Sequence, residues 1–331
     1  HWTTKGAFIA YNEFCKAAGI ESEPYENLKM KNVTDKFYGT LYSKVLDKKK
    51  KGDSIEIAEN IPQCNVMING KKSEIYHIDK LKEKEEFRYA PIGVFDSGVG
   101  GLTVAREIMR QLPNENVVYF GDTARVPYGS KSKETVIRYS RQIIRFLQEQ
   151  QVKAIVVACN TASAFALDTV RNEFDIPIIG VIESGAKVAA ARTRNKRVGI
   201  IGTVGTVGSG IHAQYLKKLD PEITVFGKAC PLFVPLVEEG WLHDPVTVEV
   251  ASRYLKELQD KDVDTLILGC THYPLIRSTI RQVMGEEVCL VNPAYETALE
   301  LGKLLEEQGL SSTGTEQKEF PYRFYVSDLA D

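Results

Sequence analysis

The sequence carries almost no net charge, no long apolar run and no paired-cysteine motif, and each shortfall removes a class of function. Lysine and arginine together number 42 against 44 aspartates and glutamates, a formal net charge of −2, and the pI is about 6.3. With no basic field to draw nucleic acid or an anionic membrane surface, neither is expected as a partner. Apolar runs such as Ala154–Ala158 and Leu266–Leu268 fall far short of the roughly 20 residues a membrane helix needs. Six cysteines are scattered along the chain without a CxxC pair, which argues against a disulfide-stapled secreted domain or a zinc site and favours a reducing cytoplasm. There are only five histidines, and none has a second ligand at a spacing that would hold a metal. The first residues lack a basic segment followed by an apolar core, so no signal peptide is expected. The chain opens on His1 rather than Met, as an excerpt of a longer sequence would.

What is present is an ordinary globular balance, 331 residues with 43% hydrophobic and 26% charged, enough for two or three domains. Residues 1–90 carry the Lys48–Lys51 run, a Lys- and Glu-rich stretch at Lys80–Glu86 and short alternating segments at Ser54–Ile57 and Val66–Ile68. They read as a small α+β unit with solvated faces and show no catalytic constellation.

From Pro91 onward, short β-rich runs alternate with helical stretches, which predicts parallel sheets covered by helices on both faces. Strands are expected at Ile92–Phe95, Val117–Phe120, Ala154–Ala158, Ile178–Val181, Val198–Ile201, Thr224–Phe226, Thr265–Leu268 and Val288–Val291. Helical spacing of Leu102, Ala105, Ile108 and Met109, and of Val136, Ile143, Ile144 and Leu147, marks core faces between them. In such sheets ligands sit beyond the carboxyl ends of the strands.

Two strand ends repeat each other. Ala154-Ile-Val-Val-Ala-Cys159-Asn160-Thr161 and Thr265-Leu-Ile-Leu-Gly-Cys270-Thr271-His272 are each a buried strand, a cysteine and two polar residues leading into a helix. Upstream of each lies another strand ending in a turn, Asp96-Ser97-Gly98 in the first and Gly202-Thr203 in the second. The region therefore reads as two similar α/β halves, and a site shared between them would hold one cysteine from each.

A cysteine after a strand is most often packing, and Cys15, Cys64, Cys230 and Cys289 are read that way. Cys159 and Cys270 stand apart because a strand-to-helix turn offers free N–H groups that would stabilise a thiolate. Two thiols facing across a pocket suit inversion of a carbon centre, one sulfur removing a proton from one face while the other delivers a proton to the opposite face.

Asp96-Ser97-Gly98-Val99-Gly100-Gly101 is at least a tight glycine turn. It completes neither a dinucleotide nor a nucleotide fingerprint, and the Asp96 carboxylate would oppose a phosphate. A small substrate bearing an ammonium group fits better, with Ser97 donating a hydrogen bond. His272, two positions after Cys270, could relay a proton to that thiol. Pro127-Tyr128-Gly129 alone is a turn signal, and Glu238 alone is a surface carboxylate.

Residues 91 to about 328 resemble the glutamate racemases. The resemblance runs through Gly93-Val-Phe-Asp96-Ser97-Gly98-Val-Gly-Gly101-Leu-Thr, Pro127-Tyr128-Gly129, Ala158-Cys159-Asn160-Thr161-Ala162 and Gly269-Cys270-Thr271-His272-Tyr273-Pro274. It implies two pseudo-symmetric doubly wound α/β domains, 91–184 completed by 293–331 and 185–292, with the active site between them. It further implies an enzyme needing no cofactor, with Cys159 and Cys270 as acid and base and Asp96, His272 and Glu238 assisting. Asp96, Ser97, Pro127, Tyr128, Gly129, Asn160, Thr161, Thr271 and His272 would contact L- or D-glutamate, and D-glutamate would supply peptidoglycan synthesis. Pairing into a homodimer is left open. Members usually continue into a short last helix beyond the position of Phe324-Tyr-Val-Ser327-Asp328, so a truncated end is expected. Separately, His1-Trp2-Thr-Thr-Lys-Gly-Ala-Phe is similar to the motif of the DHHW group of SGNH-hydrolase-like proteins, which implies that residues 1–90 are the tail of such a domain. The Asp and first His of that motif would precede His1, so no activity is assigned there.

Three rivals were weighed. A sister enzyme acting on aspartate, hydantoins or maleate would share the two-cysteine cleft. A hydrolase with Cys270 as nucleophile and His272 as base would leave Cys159 without a role. A non-catalytic binding protein would have lost a thiol, and both are present.

Overall fold

The computed structural model describes residues 30–37, 53–58, 88–312 and 322–328. The DHHW-like stretch, the two charged runs, Val66–Ile68, Cys15 and Cys64 lie outside them. Strands β1 (Met30–Phe37) and β2 (Asp53–Ala58) form an antiparallel pair, and β2 contains the alternating Ser54–Ile57.

The remaining elements form two parallel α/β layers. The first is built from β3 (Ile92–Asp96), α1 (Leu102–Gln111), β4 (Val117–Gly121), α2 (Lys133–Glu149), β5 (Ala154–Val157), α3 (Asn160–Phe165), α4 (Leu167–Glu173) and β6 (Ile178–Gly180). The second follows as α5 (Val181–Arg192), β7 (Arg197–Gly202), α6 (Val204–Gly208), α7 (Ile211–Leu219), β8 (Thr224–Ala229), α8 (Phe233–Glu238), α9 (Pro245–Gln259), β9 (Thr265–Gly269), α10 (Arg277–Met284) and β10 (Cys289–Val291). The chain then returns through α11 (Ala294–Glu307) to β11 (Tyr322–Val326). Strand order is β11-β4-β3-β5-β6 in the first sheet and β10-β9-β7-β8 in the second.

Helices cover both faces of each sheet, so every residue of β3, β4, β5 and β9 is buried. This is why those strands read as continuous apolar runs rather than alternating ones. One core cluster lies on each face of each sheet: α2 supplies Val136, Ile143, Ile144 and Leu147 to one face of the first, and α1 supplies Ala105, Ile108 and Met109 to the other. Local chemistry fixes the helix starts. Ser132 accepts from the Thr135 N–H at the head of α2, and Asp244 accepts from the Val246 N–H at the head of α9, with Pro245 in the first turn.

Several expectations shift. Val181 begins α5 rather than ending β6, because Gly180 holds the extended conformation (φ −126, ψ 166) that precedes a helix. Strand β8 runs on to Ala229, and β10 starts at Cys289. Strand β11 was not anticipated as a strand; it pairs in parallel with β4, Tyr322 opposite Val117 and Val326 opposite Gly121.

In both sheets the connections diverge from the central strand, which creates a crevice at the carboxyl ends of β3 and β5 and another at those of β7 and β9. The opposite, amino-terminal ends of the first sheet are tied by Lys153. Its wholly buried ammonium donates to Arg88 O at 2.5 Å and Leu310 O at 2.8 Å and pairs with the Glu115 carboxylate, which also accepts from the Ser312 N–H at 2.8 Å. Removing one member of such a buried pair costs about 3–5 kcal/mol.

Candidate active site

The two crevices face each other and close on one cleft. It is lined by Ser97, Pro127, Tyr128, Gly129, Cys159, Asn160 and Thr161 from the first sheet's loops and by Thr203, Gly269, Cys270, Thr271 and His272 from the second's. Asp96 lies beneath it, fully buried, and Glu238 stands behind His272, its Oε1 3.2 Å from Nε2. Glu238, rather than the adjacent Glu239, makes that contact. Every residue picked out from the sequence is thus at this cleft or one contact behind it.

The two cysteines arrive by different local structures. Cys159 lies just beyond β5 and caps α3, its sulfur accepting from the Ala162 N–H at 3.4 Å and its thiol donating to Ser97 Oγ at 3.7 Å. Cys270 departs from the expected pattern. Pro274 cannot donate an amide, and a single 3-10 turn, Tyr273–Ile276, intervenes before α10. No helix start cradles Cys270; its sulfur lies 3.8 Å from His272 Nδ1.

The protonation balance differs accordingly. Burial pushes Cys159 up to about 12, and the Asp96 carboxylate adds to the rise, against the weaker pull of the Ala162 N–H and the Ser97 hydroxyl. At Cys159 the expected preference for a thiolate is therefore outweighed by desolvation, in spite of the helix start. Burial also opposes charge on His272, but hydrogen bonding and attraction to Cys270 and Glu238 prevail and push the imidazole up to about 10. Asp96 is raised by burial, although His272 and the N–H groups of Gly101, Gly98 and Ser97 work the other way.

Asp96 is held by its own loop. Its Oδ2 accepts from the Gly98 and Gly101 N–H groups, both at 3.1 Å. Gly100 has to be glycine, because a Cβ there would lie 2.5 Å from Thr271 Oγ1 and 2.6 Å from His272 Nδ1. The halves also touch directly. Thr271 Oγ1 donates to Asp96 Oδ1 at 3.4 Å, and Thr161 Oγ1 lies 2.9 Å from Thr203 Oγ1 and 3.0 Å from Thr206 Oγ1. Thr203 and Thr206 were missed in the sequence. The repeat held the signal, since it sets Gly202-Thr203 in register with Asp96-Ser97.

The cleft is partly open and narrow, with a cavity volume of about 20 Å³, room for about one water. A larger concavity of about 510 Å³ lies on the outer face between α8 and α9, lined by Leu232, Val246, Val250, Arg253 and Tyr254 among others. It holds no thiol or histidine. Among the described residues no group of three or more His, Cys, Asp or Glu side chains could hold a metal ion, and no helix is long and apolar enough to cross a membrane.

Two α/β halves meeting on a pair of thiols define a class that known proteins share. The family model described as Asp/Glu/Hydantoin racemase matches residues 92–298. The chain is similar to the glutamate racemase of Geobacter metallireducens, 52% identical over 238 residues that make up 72% of this chain and 87% of that protein. Among solved structures, it superposes on the glutamate racemase isoform RacE1 of Bacillus anthracis with a TM-score of 0.70 at 42% identity, covering 73% of this chain and 90% of that one. The Francisella tularensis glutamate racemase, solved in complex with D-glutamate, gives a TM-score of 0.68 at 42% identity over 73% and 89% of the two chains. The chain therefore belongs to the Asp/Glu/Hydantoin racemase family and, within it, to the glutamate racemases.

Proposed function

We propose that the chain interconverts L- and D-glutamate without a cofactor, Cys159 and Cys270 acting as the opposed acid and base. The observation that carries this is the meeting of two buried thiols from corresponding strand ends of two halves in one narrow cleft. The glutamate racemase names of relatives about half identical to this chain favour glutamate over aspartate, hydantoins or maleate.

In the forward step one sulfur, as thiolate, takes the Cα proton. The electron pair left on Cα delocalises into the adjacent carboxylate, and the other thiol gives its proton to the opposite face. The two sulfurs exchange protonation states, so the reverse reaction uses the same groups in swapped roles. The upward push on Cys159 makes its sulfur, once deprotonated, a stronger base than an ordinary thiolate and better matched to a weakly acidic Cα–H. His272, protonated and backed by Glu238, passes a proton to and from Cys270. Asp96 stands behind Cys159 in the corresponding place, its loop amides fixing its direction.

The cleft between the two halves is narrow, with about 20 Å³ of space. The reading therefore divides the catalytic region into 91–184 with 293–331 and 185–292, which part to admit substrate and close to expel water, strengthening every charge interaction inside. The Thr161–Thr203 and Asp96–Thr271 contacts would break and re-form in each cycle. The free thiols Cys159, Cys230, Cys270 and Cys289 support a place in the reducing cytoplasm, where D-glutamate would supply peptidoglycan synthesis.

The deciding measurement is solvent deuterium incorporation at Cα of L- and D-glutamate, against L- and D-aspartate, with no cofactor added. Incorporation into both glutamate enantiomers is expected. No exchange with any of the four would refute the reading, and exchange with aspartate alone would move the chain to a sister activity.

A further inference from the structure

Asp122 and Arg125 belong to no part of the site described so far, yet they form a buried charged cluster behind one wall of the cleft. Asp122 follows β4 and is fully buried. Its N–H donates to Asp96 O at 3.0 Å, its Oδ1 accepts from Arg125 Nε at 2.8 Å, and its Oδ2 accepts a short hydrogen bond from the Tyr128 hydroxyl. The Arg125 guanidinium is itself buried. It lies 4.2 Å from the centre of the Tyr139 ring and donates to Gln142 on α2. The Tyr139 ring packs on the Tyr128 ring with centroids 5.6 Å apart. Of this set, only Tyr128 reaches the cleft.

The second half lacks the device. There the position after β8 is Cys230, whose N–H donates to Gly202 O at 2.9 Å just as Asp122 donates to Asp96 O. The duplicated frame therefore does not need a charge pair at this place. A buried pair is expensive to desolvate, and a well-packed apolar replacement is often as stable or more so, so its presence points to specification of geometry rather than to stability. The geometry it specifies is the Val126–Gly129 wall. That wall presses so closely on the other half that a Cβ on Gly129 would lie 2.4 Å from Thr203 Cβ.

We propose that Asp122 and Arg125 are positioning residues for substrate. By clamping the Tyr128 phenol they fix the Pro127-Tyr128-Gly129 wall where the bound amino acid meets it. The inference rests on the racemase reading above. Its effect falls on binding, since a wall that contacts ground state and transition state alike alters KM while leaving kcat nearly unchanged.

The test uses the full chain and first establishes that wild type racemises glutamate, so failure of that reading shows before any variant is made. Tyr128→Phe removes one hydrogen bond and keeps the charge pair; Asp122→Asn with Arg125→Gln removes both charges together and leaves no lone buried ion. Glu115→Gln, at the far end of the sheet, is the control for general destabilisation. Expected is a rise of about tenfold or more in KM for both enantiomers in the double variant, with kcat within about threefold of wild type, and a KM rise in the same direction in Tyr128→Phe. Glu115→Gln should lower Tm and leave KM unchanged. L- and D-glutamate have equal free energies, so kcat/KM must fall by the same factor in both directions, an internal check on the data. Unchanged KM in the folded variants, or a KM rise matched by Glu115→Gln, would overturn the proposal.

Discussion

The Cys159 side and the Cys270 side of the cleft occupy corresponding places in two similar sheets, yet they reach their chemistry by different means. Cys159 sits at a helix start, faces a hydroxyl and has a buried carboxylate behind it. Cys270 sits ahead of a 3-10 turn and leans on an imidazole that is itself backed by a carboxylate. The difference shows that duplication supplies matching positions, while local sequence sets each proton inventory. Burial favours the protonated form on the Cys159 side, while the imidazole beside Cys270 is pushed up by its partners; under the proposed two-base inversion this asymmetry would give the two sulfurs unequal starting states.

The sharpest way to break the comparison is to remove each thiol in turn. Cys159→Ser and Cys270→Ser should each lower racemisation by about 10³-fold or more, because a hydroxyl is far less acidic than a thiol. Polarimetry on either enantiomer measures this. Full activity in Cys159→Ser combined with loss in Cys270→Ser would dissolve the pairing and favour a hydrolase built on Cys270 and His272.

The supporting groups should then separate the two sides. Asp96→Asn and His272→Gln should each cost about 10²-fold, and the primary isotope effect from α-deuterated glutamate should increase for opposite enantiomers in the two variants. An increase for the same enantiomer in both would show that the two groups serve one sulfur. A smaller loss, about tenfold, is expected for Glu238→Gln, which removes the charge behind His272, whereas Glu239→Gln should stay within about twofold of wild type. The kcat of these two neighbours checks which carboxylate belongs to the site.

Acid provides the mildest contrast. His212 on α7 is buried behind Gly269 in the second half, and burial lowers it to about 4. A histidine depressed in the folded state contributes stability that is present above its unfolded value of about 6.5 and is lost as pH falls through about 4. The loss is about 3 kcal/mol. Asp96, raised by burial in the first half, works in the opposite sense, contributing most at low pH. Between pH 6.5 and 4, hydrogen exchange should therefore quicken in α7 and β9 before it does in β3, and His212→Leu should remove that difference. Equal loosening of both sheets would refute it.

Much of this arrangement was legible in the sequence because the parallel strands are covered on both faces and leave unbroken apolar runs. The cysteines stood out because each follows such a run. Strand β11 was not legible: Tyr-Arg-Phe-Tyr-Val is half-buried at a sheet edge, and its partner β4 lies about two hundred residues earlier, beyond any local pattern. The 3-10 turn after Cys270 was announced by Pro274 but overshadowed by the similarity of the two strand ends. The upward push on Cys159 could not be read at all, since it comes from burial and from the Asp96 carboxylate, which only the fold brings near it. Asp122 and Arg125 look like an ordinary exposed pair three residues apart until Tyr128 and Tyr139 are seen to cover them.

The Lys153 knot bears on the architecture of the whole polypeptide. Arg88, Leu310 and Ser312 all converge on Lys153 and Glu115 at the amino-terminal ends of the first sheet, while the cleft opens at the carboxyl-terminal ends. Arg88, at the head of the described α/β region, is therefore fixed at the pole opposite the cleft.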